Sequence, residues 1–90
     1  MNKTQLVDAV AASTGKPKTD VAAIISAALD EVQKAVASGD TVQIVGFGSF
    51  TRRFREGGER RSPQGGTVHV PARHVPAFKP GAGFKQAVSA

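Results

Sequence analysis

Leu6, Val7, Val10 and Ala11 recur at helical spacing, and Asn2 with Gln5 three residues later forms a capping-box-like pair ahead of them. The pattern predicts a first helix that stops at Gly15. Pro17 opens a second helix, with Asp20 in its first turn near the positive end of the dipole. Val21, Ile24, Ile25, Ala28, Leu29, Val32 and Val36 follow on one side of it, and Gly39 with Asp40 ends it. That stripe covers about four turns, more than the short first helix can cover alone. Either the sheet that follows lies on it within one subunit, or a second copy of the chain shares the work.

After Gly39 the period switches to that of strands. Val42, Ile44 and Val45 flank Gln43, and a hairpin with its turn near Gly46 to Gly48 leads into a second strand. On that strand Phe50, Arg52 and Phe54 share one face and Thr51, Arg53 and Arg55 the other, so charge soon occupies both faces and the strand leaves the core. Gly57 and Gly58 loosen the ribbon, Pro63 to Gly66 makes a turn, and Val68 and Val70 alternate with Thr67 and His69 on a return strand. Extended, the stretch from Thr51 to Arg61 reaches about 35 Å at ~3.3 Å per residue. Pro71 and Pro76 are expected to break regular pairing; Phe78 returns to the core, and Phe84, Ala87 and Val88 suit a short closing helix after Pro80 and Gly81.

Ninety residues make one small domain, and with the ribbon set aside roughly seventy remain for a core, a size at which staples or association are usually needed. Cysteine is absent, which excludes disulfides and thiolate metal sites, and His69 and His74 lack the spacing of a metal pair. Subunit association is the staple that remains, which favours a second copy over the chain's own sheet as cover for the long helix. No apolar run approaches the ~20 residues of a membrane span and the amino terminus lacks a signal-peptide layout, so a cytoplasmic protein is expected.

The net charge of +5 is unevenly placed: residues 1–45 sum to −1 and residues 46–90 to +6. Five arginines (Arg52, Arg53, Arg55, Arg60 and Arg61) stand against Glu56 and Glu59 on the ribbon, the footprint of a phosphate-binding surface. A solvated basic face would mix signs and use Lys as readily as Arg. Most such contacts position a duplex without reading bases, which predicts weak sequence discrimination and steep salt dependence. Phe54 alone makes a poor stacking platform for single strands. Gly46-Phe47-Gly48 is no dinucleotide loop, because Thr51 occupies the third glycine's place and a strand follows where a helix is needed. No phosphate-binding P-loop, nucleophile elbow or convincing carboxylate pair is present, so no catalytic residue, enzyme activity, cofactor or small-molecule substrate is expected.

The order of MNKTQLVDAV, TVQIVGFGSF and HVPAFKPG resembles the HU family of bacterial histone-like DNA-binding proteins across nearly the whole chain. The most specific parts are Gly46-Phe47-Gly48 with Phe50, then Arg55, Arg61 and Pro63, then Val75 to Gly81. The resemblance implies an α+β fold in an intertwined dimer: a helical base, a three-stranded antiparallel saddle sheet, protruding β-ribbon arms and a short C-terminal helix. Residues 1–90 would form one DNA-binding domain, with 1–45 the mainly helical dimerisation part and first strand, and about 51–73 the arm. The implied role is a homodimer, or a heterodimer with a paralogue, that binds, bends and compacts double-stranded DNA in the bacterial nucleoid. Its arms would lie in the minor groove with a proline near each tip entering the base stack. Position by position, Arg53, Arg55 and Arg61 would contact phosphate or groove, Pro63 would be the wedge, and Lys3, Lys79 and Lys85 would be contacts on the body. Phe47, Phe50 and Phe78 would hold the dimer core, with Leu29 and Val32 of the helical stripe. Arg52, Arg60 and Arg73 are added from charge alone.

The chain departs from the family pattern at the arm. Gly58, Arg60 and Ser62 replace the usual residues before the tip proline, the usual Pro-x-Thr-Gly turn becomes Pro63-Gln64-Gly65-Gly66, and the stretch from Pro63 to Phe78 is one residue shorter. A one-residue deletion swaps a ribbon's faces unless the turn absorbs it, and the kept alternation of Val68 and Val70 points to the turn. Alternatives are a site-preferring subunit like integration host factor, an RNA-binding module, or a monomeric module that offers its helix stripe to another protein.

Overall fold

A computed structural model describes residues 1–89. The chain falls into two compact units, Met1–Lys34 and the residues from Ala35 onward.

The first unit holds α1 (Lys3–Thr14) and most of α2 (Lys18–Ala37). The capping box forms as expected: Asn2 Oδ1 accepts from Gln5 N at 2.9 Å and Gln5 Oε1 from Asn2 N at 2.8 Å. Gly15, at φ 71, closes α1 by donating to the Ala11 carbonyl. Pro17 sits just before α2 and accepts from Val21 N, so it precedes the first helical residue instead of occupying it. Val7, Ala11 and Val21 form the core here, with Val10, Ala22 and Ile25 packed on it. Ile24, at 66% exposure, and Leu29, at 50%, lie open and Val32 is half-buried.

In the second unit a three-stranded antiparallel sheet has the order β1 (Val42–Ile44), β2 (Gly48–Arg55), β5 (Arg73–Pro80), and a two-stranded sheet pairs β3 (Gly58–Arg61) with β4 (Thr67–Val70). The β1–β2 turn occupies Val45 to Phe47, one residue earlier than expected. Gly48 is the first residue of β2; a Cβ there would stand 2.6 Å from the Phe78 ring. α3 (Ala82–Ser89) is moored to that turn: Gly81 N donates to the Phe47 carbonyl and Phe84 N to the Gly46 carbonyl. Phe47, Phe50, Phe78 and Phe84 form one aromatic cluster, with ring centroids 4.9 Å apart for Phe50 and Phe78 and 5.1 Å for Phe47 and Phe84. Phe47 and Phe78 are still more than two-fifths exposed.

Among the described residues β2 pairs with β5 alone beyond Phe50, so a two-stranded ribbon runs from Thr51 and Ala77 outward. Pro76 does not break it. Pro76 pairs with Arg52 and Pro80 with Gly48, and the bond from Gly81 N to the Phe47 carbonyl puts the ladder bonds on the odd-numbered residues. The nitrogens of Pro76 and Pro80 therefore face the open edge, where no donor is needed. Carried further, the same alternation requires residue 71 to donate, and Pro71 cannot. There the ladder stops, leaving Glu56-Gly57 unpaired against Pro71-Ala72.

Neither strand gains a residue across the gap, and pairing resumes at Gly58 and Val70. Gly57 crosses so close to the return strand that a Cβ would lie 2.5 Å from both the Val70 oxygen and the Ala72 nitrogen. At the far end Gly65 N donates to the Ser62 carbonyl and Ser62 N to the Gly66 carbonyl, which closes a three-residue loop of Pro63, Gln64 and Gly65. Gly65 and Gly66, at φ 91 and 80, supply the positive dihedrals this loop needs.

Candidate nucleic-acid interface

Strand alternation sorts the ribbon's side chains into two kinds of face. On the β2–β5 segment, Ser49, Thr51, Arg53 and Arg55 share a face with their partners Lys79, Ala77, Val75 and Arg73. Four cations stand on that face with no acid among its paired residues. The opposite face carries Phe50 and Phe78, then Arg52 and Pro76, then Phe54 and His74. Phe54 is 61% exposed and meets His74 edge-on at 5.4 Å.

On the outer segment Arg61 shares a face with Thr67, Glu59 and His69, and Arg60 shares the other with Val68, Gly58 and Val70. Pro63 lies exposed in the loop, which Ser62 braces by accepting from Gln64 N on Oγ at 3.3 Å. Reading the sequence assigned Ser62 no such task, although a hydroxyl that bonds the backbone two residues on is a known turn signal.

Arg53, Arg55, Arg60, Arg61, Pro63, Arg73, Lys79 and Lys85 are all exposed. The ion pairs among the described residues, Lys18 with Asp8 at 3.3 Å and Lys34 with Glu31 at 3.7 Å, involve none of them. Lys85 stands on α3 in the second unit. Lys3 belongs to the first unit, where its Nζ donates to Ser26 Oγ at 2.7 Å. Arg52 stands apart from the cationic face and donates from Nη1 to the Ala37 carbonyl at 3.1 Å. Of the residues expected in a dimer core, Phe47, Phe50 and Phe78 come together on the sheet, joined by Phe84, which sequence reasoning had assigned only to the closing helix. Among the described residues no group of His, Asp or Glu is placed to hold a metal ion, and no helix is long and apolar enough to cross a membrane.

Unpaired guanidinium groups spaced along an extended ribbon fit an anion that repeats along a line, since each offers several fixed donors to phosphate oxygens. The model of the family described as bacterial DNA-binding protein matches residues 1–89. The DNA-binding protein HU of Geobacillus stearothermophilus is 45% identical over 89 residues, which cover 98% of this chain and 99% of that protein. DNA-binding protein HU 1 of Bacillus subtilis is 41% identical over 90 residues, covering 99% and 98%. Among solved structures, an Anabaena HU–DNA cocrystal structure superposes with a TM-score of 0.93 at 44% identity, covering 99% of this chain and 98% of that one. HU from Thermotoga maritima gives 0.71 at 39%, covering 98% of each. With exposed arginines along its ribbon and this match over its length, the chain belongs to the HU family of bacterial DNA-binding proteins.

Proposed function

We propose that this chain acts as a homodimer that binds double-stranded DNA with little sequence preference, bends and compacts it, and does so in the bacterial nucleoid. The observation that carries the reading is the face of Arg53, Arg55, Arg73 and Lys79, which holds four exposed cations and no acid among its paired residues. The similarity to a structure of HU with DNA supports the duplex as the polyanion. Arg60, Arg61 and Lys85 add phosphate contacts, Lys3 contributes from α1, and Pro63 at the loop enters the base stack. Contacts made along the bent duplex offset an unstacking cost of a few kcal/mol per step.

Dimerisation is supported by how little one chain buries. Its buried apolar residues are Val7, Ala11 and Val21, whereas Ile24, Leu29, Phe47 and Phe78 remain open. Fully burying a large apolar side chain contributes about 1.5–3 kcal/mol, so these four, each about half exposed, together withhold about 3–6 kcal/mol, a sizeable share of the ~5–15 kcal/mol that holds a small domain. A second copy laid on the helix stripe and the aromatic cluster supplies that burial. Sedimentation equilibrium checks the stoichiometry, and competition of a labelled mixed-sequence duplex against excess random duplex and structured RNA checks the ligand. A dimer whose duplex complexes yield to random duplex but resist RNA is expected. A monomer at micromolar concentration, or tighter binding to RNA, contradicts the reading.

A further inference from the structure

α2 ends in a cap that does not fill the carbonyl of Ala37. Asp40 N donates to the Ala35 carbonyl at 2.9 Å and Gly39 N to the Val36 carbonyl at 3.0 Å, the paired bonds of a Schellman motif, with Gly39 at φ 94. Ser38 Oγ adds a second bond to Ala35 at 2.8 Å. The carbonyl of Ala37, the last residue of the helix, is instead filled from β2, by Arg52 Nη1 at 3.1 Å. The guanidinium also lies against Gly39: a Cβ built there would stand 3.1 Å from Nη2. Arg52 thus places its charge at the negative end of the α2 dipole. It stands two residues beyond Phe50, the last residue of β2 that β1 supports, and opposite Pro76 on the face that Arg53 and Arg55 do not use.

We propose that Arg52 is a positioning residue for DNA binding, a latch that fixes the root of the ribbon to the carboxyl end of α2 and contacts no phosphate itself. The proposal rests on the reading of the ribbon as the duplex clamp. Where the ribbon loses its third strand, this bond replaces the missing support, and the cationic face beyond it is held at a fixed angle to the sheet. A serine or valine at position 52 would preserve the strand but leave the Ala37 carbonyl to water and the root free to swing.

The test compares Arg52→Met, Arg52→Lys and Arg53→Met in the full chain, with two readouts. In the free protein, amide hydrogen exchange at Gly39 and Asp40 reports the latch without any DNA. Arg52→Met is expected to speed it by about threefold, Arg52→Lys by less because it keeps a charge near the helix end, and Arg53→Met to leave it unchanged. On a nicked duplex labelled for energy transfer, Arg53→Met should lower the slope of log K against log salt by about 0.9, the value of one phosphate. Arg52→Met should keep the wild-type slope while lowering the bend. A slope that falls in Arg52→Met as in Arg53→Met makes Arg52 a phosphate contact and overturns the latch, as does unchanged exchange at Gly39 and Asp40. If Arg52→Met does not fold, Arg52→Lys decides by exchange alone: faster exchange at Gly39 and Asp40 is expected, and unchanged exchange overturns the latch. Failure of the wild-type protein to bind duplex would count against the clamp, whereas the exchange result stands by itself.

Discussion

Arg55 stands directly opposite Arg73 across β2 and β5, on a face whose paired residues include no acid. Like charges placed so oppose folding by roughly 0.2–1 kcal/mol, a cost that a bound anion would relieve. Arg73→Thr should therefore raise the stability of the free protein by about 0.5 kcal/mol while weakening duplex binding. It should also lower the salt slope by about 0.9. Thermal unfolding without DNA and salt-titrated binding check the two halves, and a variant that loses stability and keeps its affinity contradicts the assignment.

Gly57 has no room for a side chain, because a Cβ would meet the backbone of Val70 and Ala72 at 2.5 Å. Gly57→Ala should force the strands apart where Pro71 already interrupts the ladder. The expected loss is about 1–3 kcal/mol, felt by the ribbon and not by α1 and α2. Residue-resolved hydrogen exchange should show faster exchange confined to β3 and β4, and Gly58→Ala, with nothing within 4 Å of its Cβ, serves as the neutral comparison.

Phe50 and Phe78 meet at 4.9 Å between ring centroids, and their neighbour Phe47 is 44% exposed. If a second copy covers this cluster, Phe47→Ala should cost about 3–5 kcal/mol of dimer stability. Its unfolding midpoint should then depend more steeply on protein concentration in the micromolar range. A midpoint independent of concentration for both proteins contradicts the dimer.

Much of this fold was legible because its signals are local. Asn2 with Gln5, Gly15 and Gly39 are caps whose geometry depends only on residues three or four away, and each performs as the sequence said. The alternation from Phe50 to Arg55 gave the faces of β2 directly. Pro76 misled because a proline's effect on a ladder depends on bonding phase and on whether its strand is an edge, and neither is written in the local sequence. Pro71, one phase away, does break the pairing. Arg52 looked like one more basic residue on the ribbon; its partner, the Ala37 carbonyl, lies fifteen residues back and reaches it only through the β1–β2 hairpin. Phe84 was hidden likewise, since the return of α3 onto the sheet rests on backbone bonds to Gly46 and Phe47.

Pro63 sits exposed in a three-residue loop between Ser62 and Gly66. As the wedge it should contribute to bending more than to attraction. Pro63→Ala should keep the salt slope, because no charge is removed, and reduce the bend read by energy transfer across a labelled duplex. An unchanged bend in that variant would remove Pro63 from the mechanism.

The central claim, that the ribbon clamps and bends a duplex, is tested most directly by salt-titrated binding to intact, nicked and gapped duplexes of one mixed sequence. A nick removes part of the deformation cost, so preference for nicked and gapped DNA by about tenfold or more, with a steep salt slope, is the predicted result. Equal affinity for all three would leave only a basic coat on DNA and contradict the account of a bending clamp.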